Sequence, residues 1–163
     1  MTLPPIKTLG SVVDMKKLIV FIPALFIFFI SAKSYALSQK DMIGSWELLT
    51  YEKQDDKGNW KPRCSSPDGM ITYTRESTMA VGINCMKAGS SSERSDDPDE
   101  MVFYSGQYST KENKVIHHVL NSSKLDWIGK DLEREVSRNG NKITLTGKGK
   151  AGIVRLSWQK IKN

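Results

Sequence analysis

After residue 36 the chain alternates between apolar and polar residues in short segments, and this period of two constrains the fold more than any other feature. Successive side chains of a strand point to opposite faces, so the alternation predicts strands with one buried face rather than helices. Turn residues separate the segments, as in Asn139-Gly140-Asn141, where Asn-Gly is a strong hairpin signal. We predict eight strands, which cover Gly44–Lys53, Met70–Thr74, Thr78–Asn84, Val102–Thr110, Lys114–Asn121, Asp131–Ser137, Lys142–Gly147 and Gly152–Lys160.

Eight short strands in sequential order predict an all-β domain, namely an eight-stranded antiparallel up-and-down barrel. A barrel of this size can be filled by its own side chains or can hold one small ligand. A flattened sandwich of two sheets is the alternative that the alternation leaves open. Between the predicted strands, Ala88–Glu100 is rich in Ser and Asp and contains one Pro, so we expect a long exposed loop there.

The first 36 residues have the three-part composition of an export signal. Met15-Lys16-Lys17 is a short basic segment, Leu18–Ile30 is apolar apart from Pro23, and Ser34-Tyr35-Ala36 offers small residues for cleavage. A membrane-spanning helix needs about 20 apolar residues. The apolar run is shorter than that, so it favours a cleaved signal peptide over a permanent anchor.

This assignment divides the chain into an N-terminal extension with a signal peptide, residues 1–36, and a barrel domain, residues 37–163. Translation starts at either Met1 or Met15, and the sequence does not decide between them. We predict a periplasmic or secreted protein that meets a membrane only through the uncleaved signal segment.

The two cysteines are predicted to form a structural disulfide. In an oxidising compartment an even number of cysteines is typical of disulfide bonding. Cys64 precedes one strand of the hairpin formed by residues 70–84 and Cys85 follows the other, so both lie at its open end. Their spacing is not Cys-x-x-Cys, which argues against a redox-active pair.

Composition and charge exclude two classes of protein. The chain is 39% hydrophobic, which is too polar for a protein with many membrane spans. Its net charge is +6, but the first 36 residues hold four lysines and one aspartate, which leaves +3 spread along the rest. A nucleic-acid-binding protein concentrates its basic residues on one face or arm. We therefore predict no nucleic-acid partner.

Several segments resemble the lipocalin-like domain family of bacterial and fungal proteins. The resemblance covers residues 41–160 in the same order and implies a barrel that can hold a small molecule, without one settled activity. The segments similar to the family's motifs are Ile43–Glu52 ("GTWRLVSYE"), Gly69–Thr74 with Met79–Val81 ("G-x-x-x-Y-T…M-x-V"), Tyr104–Tyr108 ("YSGRY"), and Val115–Val119 with Asp126–Lys130 ("V-x-H-x-V…N-W-V-G-T").

Gly44-Ser45-Trp46 also resembles the G-x-W signature of true lipocalins. There the Trp closes one end of the barrel and a basic residue from a late strand covers it. The resemblance implies this structural role for Trp46, with Arg155 as the basic partner through a cation–π contact. Two positions depart from the lipocalin-like pattern: Glu76-Ser77 replaces an Asp-Gly turn, and Asp126 replaces an Asn.

The strand faces point to a ligand site. Arg134 shares the predicted buried face of its strand with Leu132 and Val136, so a guanidinium occupies a position where an apolar side chain is expected. An apolar cavity with a few fixed polar groups is typical of small-ligand sites. We predict that Arg134 and His118 point into the lumen beside four aromatic residues, Tyr73, Tyr104, Tyr108 and Trp127.

In this hypothesis Arg134 binds a carboxylate or enolate oxygen, and His118 hydrogen-bonds the ligand or, in an enzyme, moves a proton. The alternative is a filled barrel in which Arg134 pairs with a buried carboxylate, Glu47 or Glu52, and His118 is a core residue. The neighbouring His117 and His118 point to opposite faces and cannot bind one metal together. We therefore predict no metal site and no cofactor.

Three functions remain open. We expect an exported protein that binds a small hydrophobic or amphipathic molecule and is not an enzyme. The second hypothesis is a cyclase or isomerase that acts on such a molecule through His118, by analogy of fold. The third is a surface-binding or inhibitor module with a filled barrel, in which Tyr51, Trp60 and Trp127 anchor the partner. The sequence does not determine the oligomeric state.

Overall fold

The predicted alternation forms one closed antiparallel sheet in the computed structural model, which describes residues 36–64, 66–86, 101–149 and 152–162. The predicted signal segment up to residue 35 and the predicted loop Ala88–Glu100 lie outside the described residues. Within the described part, a short helix α1 (Gln39–Met42) and a 3-10 turn (Leu125–Trp127) accompany nine strands. The strands are β1 (Gly44–Gln54), β2 (Trp60–Pro62), β3 (Pro67–Tyr73), β4 (Thr78–Cys85), β5 (Val102–Lys111), β6 (Lys114–Ser122), β7 (Asp131–Asn139), β8 (Lys142–Gly149) and β9 (Gly152–Lys160).

The sheet closes because β1 pairs with β9 as well as with β3. The other strands follow in chain order, each antiparallel to the next, which confirms the eight-stranded barrel and excludes the open sandwich. The additional strand β2 pairs only with residues Glu52–Gln54 of β1, beyond the part that pairs with β3. Its three residues are too few to show an alternation, so the sequence did not predict it.

Inward-facing apolar side chains form the core of the barrel. Burying a large apolar side chain stabilises the fold by roughly 1.5–3 kcal/mol. The side chains that are almost completely buried include Met42, Trp46, Ile71, Tyr73, Val115, Val119, Ile143 and Trp158.

One end of the barrel, which we call the closed end, is covered by α1 and by the turns β3–β4, β5–β6 and β7–β8. Trp46 lies there with none of its surface exposed. Its indole N–H donates to the Met42 carbonyl at 2.8 Å, and the Lys160 Nζ lies 5.0 Å from the centre of the indole ring. Trp46 is thus fully buried at the end of the barrel.

The predicted partner of Trp46 was wrong. The register of β1 with β9 places Trp46 opposite Lys160, whereas Arg155 lies opposite Glu52 further along the strands. Arg155 donates to the Glu52 carboxylate at 2.7 and 3.0 Å, and its guanidinium lies 4.3 Å from the centre of the Trp60 ring.

A β-bulge in β1 changes which side chains face inward. Leu48 lies opposite Trp158, but Thr50, not Leu49, lies opposite Ser157, so Leu49 is an additional residue in β1. The predicted face with Trp46, Leu48 and Thr50 is therefore wrong at Thr50, which is exposed.

At the opposite end, the open end, Cys64 and Cys85 form the predicted disulfide, with their Cα atoms 5.5 Å apart. It links the segment after β2 to the end of β4. Closing a loop of 21 residues stabilises the fold by about 3 kcal/mol in the chain-entropy model. In the described part of the chain, no helix is long and apolar enough to cross a bilayer.

Candidate functional site

Two adjacent cavities, which share five lining residues, lie in the interior and at the open end of the barrel. The space available to the centre of a water-sized sphere is about 50 Å³ in the deep chamber and about 370 Å³ in the mouth, which lies towards the open end. Ligand cavities span roughly 300–1,000 Å³, so the mouth has the volume of a small-ligand site. The residues that line both cavities are Tyr51, Val102, Trp127, Arg134 and Val154.

The deep chamber is mainly apolar because its walls come from the inward positions of the sheet. Strands β3, β4, β8 and β9 contribute Ile71, Val81, Ile83, Leu145, Leu156 and Trp158. The polar groups on its wall are Tyr104 and His117, together with Arg134 and the Tyr51 hydroxyl. This combination of apolar walls and a few placed polar groups is the usual composition of a ligand site.

His117 is the histidine that faces the lumen. It is 1% exposed and joins two tyrosines: its Nε2 lies 2.8 Å from the Tyr73 hydroxyl and its Nδ1 lies 2.8 Å from the Tyr104 hydroxyl. Burial, the Arg134 charge and the neighbouring His118 lower the pKa of His117 to about 3. The imidazole is therefore neutral at pH 7, with one nitrogen donating and the other accepting.

His118 was predicted to face the lumen, and this placement was wrong. Its Nε2 lies 3.0 Å from the Ser109 hydroxyl and its Nδ1 lies 2.7 Å from the Asp131 carboxylate, on the outer face of the barrel. Both faces of β6 carry apolar residues, so alternation alone did not decide between them. The V-x-H-x-V motif did contain the signal, because its fixed positions Val115, His117 and Val119 share one face, which the structure buries.

Arg134 lies on the inner face of β7, as predicted. It lines both cavities, so its side chain lies where the deep chamber meets the mouth. Its Nη1 donates to the Glu133 carbonyl at 2.9 Å. Burial raises the pKa of Tyr104, while the Arg134 charge and a hydrogen bond from its guanidinium oppose that rise, which places Arg134 beside this hydroxyl.

The predicted ion pair of Arg134 with Glu47 or Glu52 does not form. Glu52 is bound by Arg155 and Glu47 is exposed on the outer face. No carboxylate among the residues that the structure describes lies within 4.0 Å of the Arg134 guanidinium. In the described part of the chain, Arg134 therefore faces the cavities as a cation without a carboxylate partner.

Gly147 makes room for the Arg134 side chain. A Cβ at Gly147 would lie 2.5 Å from the Arg134 Nη1 and 2.7 Å from its Cδ. The pairing of β7 with β8 ends at Glu135 and Thr146, so Arg134 lies beside a stretch of β8 that β7 no longer pairs with. The glycine and the end of the pairing together let the side chain occupy this position.

The predicted aromatic residues divide into two groups. Tyr104 and Trp127 line the deep chamber and contact each other, with ring centres 5.7 Å apart. Tyr73 and Tyr108 line neither cavity and lie beyond the chamber, towards the closed end. Their rings are 4.8 Å apart, and the Tyr108 hydroxyl donates to the Thr74 carbonyl at 2.9 Å.

The aromatic residues of the surface-module hypothesis are not free anchors. Tyr51 and Trp127 line the cavities, and Trp60 lies under Arg155. The bulge at Leu49 shifts the alternation of β1, so that Tyr51 faces inward. No feature of the β1 sequence signals this shift.

Further polar groups in this region were also missed. Arg63 lies at the mouth, 5.7 Å from the centre of the Tyr51 ring. Its Nε and the indole N–H of Trp158 are buried and have no hydrogen-bond acceptor among the described residues. Buried polar groups are usually paired, so such groups beside a cavity suit a bound molecule or water.

Comparison with known proteins identifies a family. The profile of the family described as "Lipocalin-like domain" matches residues 43–161. No curated protein matches the sequence.

Among solved structures, a redesigned β-barrel matches with a TM-score of 0.45 and 10% identity, covering 79% of this chain and 99% of its own. A de novo designed fluorescence-activating β-barrel matches with a TM-score of 0.42 and 12% identity, covering 76% of this chain and 96% of its own. A mutant of the fluorescent protein UnaG matches with a TM-score of 0.41 and 9% identity, covering 76% of this chain and 99% of its own.

Proposed function

We propose that this chain, which belongs to the lipocalin-like domain family, binds one small and mainly apolar molecule inside its barrel. The observation that carries the proposal is the pair of adjacent cavities, a mouth of about 370 Å³ beside an apolar chamber. The deep chamber of about 50 Å³ lies among the inward-facing side chains, so these side chains do not fill the barrel completely.

The walls indicate how the molecule is held. The rings of Tyr51 and Trp127 provide large flat surfaces that line both cavities, and the ring of Tyr104 lines the deep chamber. Aromatic side chains bury much apolar area and lose little conformational entropy when a ligand packs against them. The apolar body of the ligand therefore packs against these rings, with Val102 of β5 and Val154 of β9 lining the cavities from opposite sides of the barrel.

A neutral fluorescent probe, N-phenyl-1-naphthylamine, tests this proposal. The probe is expected to bind the wild-type protein at one site per chain and to gain fluorescence. Val154→Trp places an indole where both cavities meet and is expected to abolish binding. Ile153→Trp is the matched control, because Ile153 precedes Val154 on β9 and points to the other face.

Circular dichroism and the thermal midpoint would show that both variants fold. Failure of the wild-type protein to bind the probe, or equal binding by the wild type and a folded Val154→Trp variant, would contradict an interior site.

We also propose that the protein works in the periplasm or outside the cell. The Cys64–Cys85 disulfide supports this, because such bonds persist in oxidising compartments. Expression of the full chain in a bacterium with a secretion pathway is expected to yield an exported product. Its intact mass should be that of a chain that begins at Leu37. A cytoplasmic product that keeps Met1 or Met15 would contradict the proposal.

A further inference from the structure

We infer that the bound molecule is an organic anion, an apolar body with one carboxylate or sulfonate group, and that Arg134 binds the charged group. This inference rests on the proposed interior site and names the class of ligand that the site selects. It follows from the position of one guanidinium and from the charges around the mouth.

The first observation is that Arg134 has no carboxylate partner among the residues that the structure describes. Arg134 is half-buried, and its guanidinium stays charged and forms its strongest hydrogen bonds with anionic groups. Here one N–H group donates to the Glu133 carbonyl and the guanidinium also reaches Tyr104. Arg134 lines both cavities, so an anion at their junction would complete the set of hydrogen bonds.

The second observation is the charge of the mouth. Among the described residues that line it, Arg63, Lys124, Arg134 and Lys148 are basic and Asp126 is acidic. A cleft with one dominant sign of charge and apolar walls concentrates ligands of the opposite sign. The described lining of the mouth is therefore net positive, which favours an anion on its way to Arg134.

The third observation is that the polar network beside Arg134 carries no negative charge. Burial raises the pKa of both Tyr73 and Tyr104, so their hydroxyls stay protonated. His117, which links them, is neutral at pH 7. None of these groups neutralises the guanidinium, whereas a carboxylate or sulfonate would.

The cavity volumes set the orientation of the ligand. The chamber beyond Arg134 offers only about 50 Å³, whereas the mouth offers about 370 Å³. With its charged group at Arg134, the ligand therefore places most of its apolar body in the mouth, against Tyr51, Trp127 and Leu132.

Two fluorescent probes with the same aromatic body separate charge from shape. 8-Anilinonaphthalene-1-sulfonate carries a sulfonate, and N-phenyl-1-naphthylamine is the same body without it. The wild-type protein is expected to bind the sulfonate about tenfold more tightly than the neutral probe, as for one charge-assisted hydrogen-bonded contact. Raising the salt concentration should weaken the binding of the sulfonate probe and leave the binding of the neutral probe unchanged.

Three variants assign the effect to Arg134. Arg134→Met keeps a long side chain without the charge, and the ratio of its affinities for the sulfonate and the neutral probe is expected to fall to about one. Arg134→Lys keeps the charge and is expected to restore part of the preference. Arg75→Met is the matched control, because Arg75 is exposed in the β3–β4 turn at the closed end, and it should change neither affinity.

The outcomes distinguish the two proposals. If both probes bind the wild type equally and Arg134→Met changes neither, the interior site stands and the anion inference is overturned. If neither probe binds, the proposed function itself fails. Binding of the neutral probe by Arg134→Met also shows that the variant is folded, so a lost preference in that variant cannot be attributed to unfolding.

Discussion

The two ends of the barrel are built from the same alternating strands but treat their polar groups differently. At the closed end the indole N–H of Trp46 donates to the Met42 carbonyl and the Tyr108 hydroxyl donates to the Thr74 carbonyl. At the open end the Arg134 guanidinium has no carboxylate partner among the described residues, and a cavity replaces packed side chains.

This difference shows how one fold holds both a core and a site. Packed and hydrogen-bonded side chains at the closed end stabilise the barrel, because unpaired buried polar groups are costly. The open end contains the charged Arg134 guanidinium and a cavity, and the rest of the sheet holds the walls of this cavity in place. The Cys64–Cys85 disulfide lies at this end and contributes stability there without filling the cavity.

The largest expected effect compares one tryptophan from each end. Trp46→Ala removes a completely buried ring and is expected to lower the free energy of unfolding by about 3–5 kcal/mol. Trp127→Ala removes a half-buried ring that lines the cavities, so we expect a loss of about 1–2 kcal/mol together with weaker probe binding. Urea unfolding measures the free energy of unfolding of both variants. Equal losses would contradict the difference between the two ends.

A pH effect of intermediate size tests the neutral network between the ends. The folded-state pKa of His117 is about 3, below the ordinary histidine value of 6.5. Between these values the unfolded chain binds the additional proton, so stability falls as the pH falls, with a limiting slope of about 1.4 kcal/mol per pH unit. From pH 6.5 to 5 this amounts to a loss of about 1–2 kcal/mol.

One histidine variant isolates this contribution. His117→Gln is expected to lose stability less steeply over that range than the wild type, because it has no buried imidazole whose unfolded form takes up a proton. Urea unfolding at a series of pH values provides the slopes. If stability depended on pH equally in the wild type and in His117→Gln, the assignment of this dependence to His117 would be wrong.

The smallest expected effect on stability comes from two glycines of β8. Gly147→Ala brings a Cβ within 2.5 Å of the Arg134 Nη1, so the flexible side chain must move, with a stability change of about 1 kcal/mol or less. The affinity for the sulfonate probe should fall towards that of Arg134→Met. Gly149→Ala is the control, because nothing lies within 4 Å of its added Cβ. An unchanged sulfonate affinity in Gly147→Ala would show that the position of Arg134 does not matter.

The sequence predicted best where alternation was strict. In β7, acidic residues alternate with Leu132, Arg134 and Val136, and the structure places these three on the inner face as expected. In β6 both faces carry apolar residues, so the pattern could not decide whether His117 or His118 faces inward.

Other features depend on how strands pair, which a single strand's pattern does not contain. The register of β1 with β9 decides that Lys160, not Arg155, covers Trp46. The bulge at Leu49 turns Tyr51 inward for the same reason. Whether the barrel is hollow depends on the summed volumes of side chains from many strands, so the sequence left that question open.

Native mass spectrometry of the exported protein, followed by denaturation, tests the central claim most directly. We expect a discrete additional mass in the native spectrum that disappears on unfolding, and we expect the released molecule to ionise as an anion. A native mass equal to the denatured mass, in a protein that also takes up neither fluorescent probe, would contradict a ligand-binding barrel.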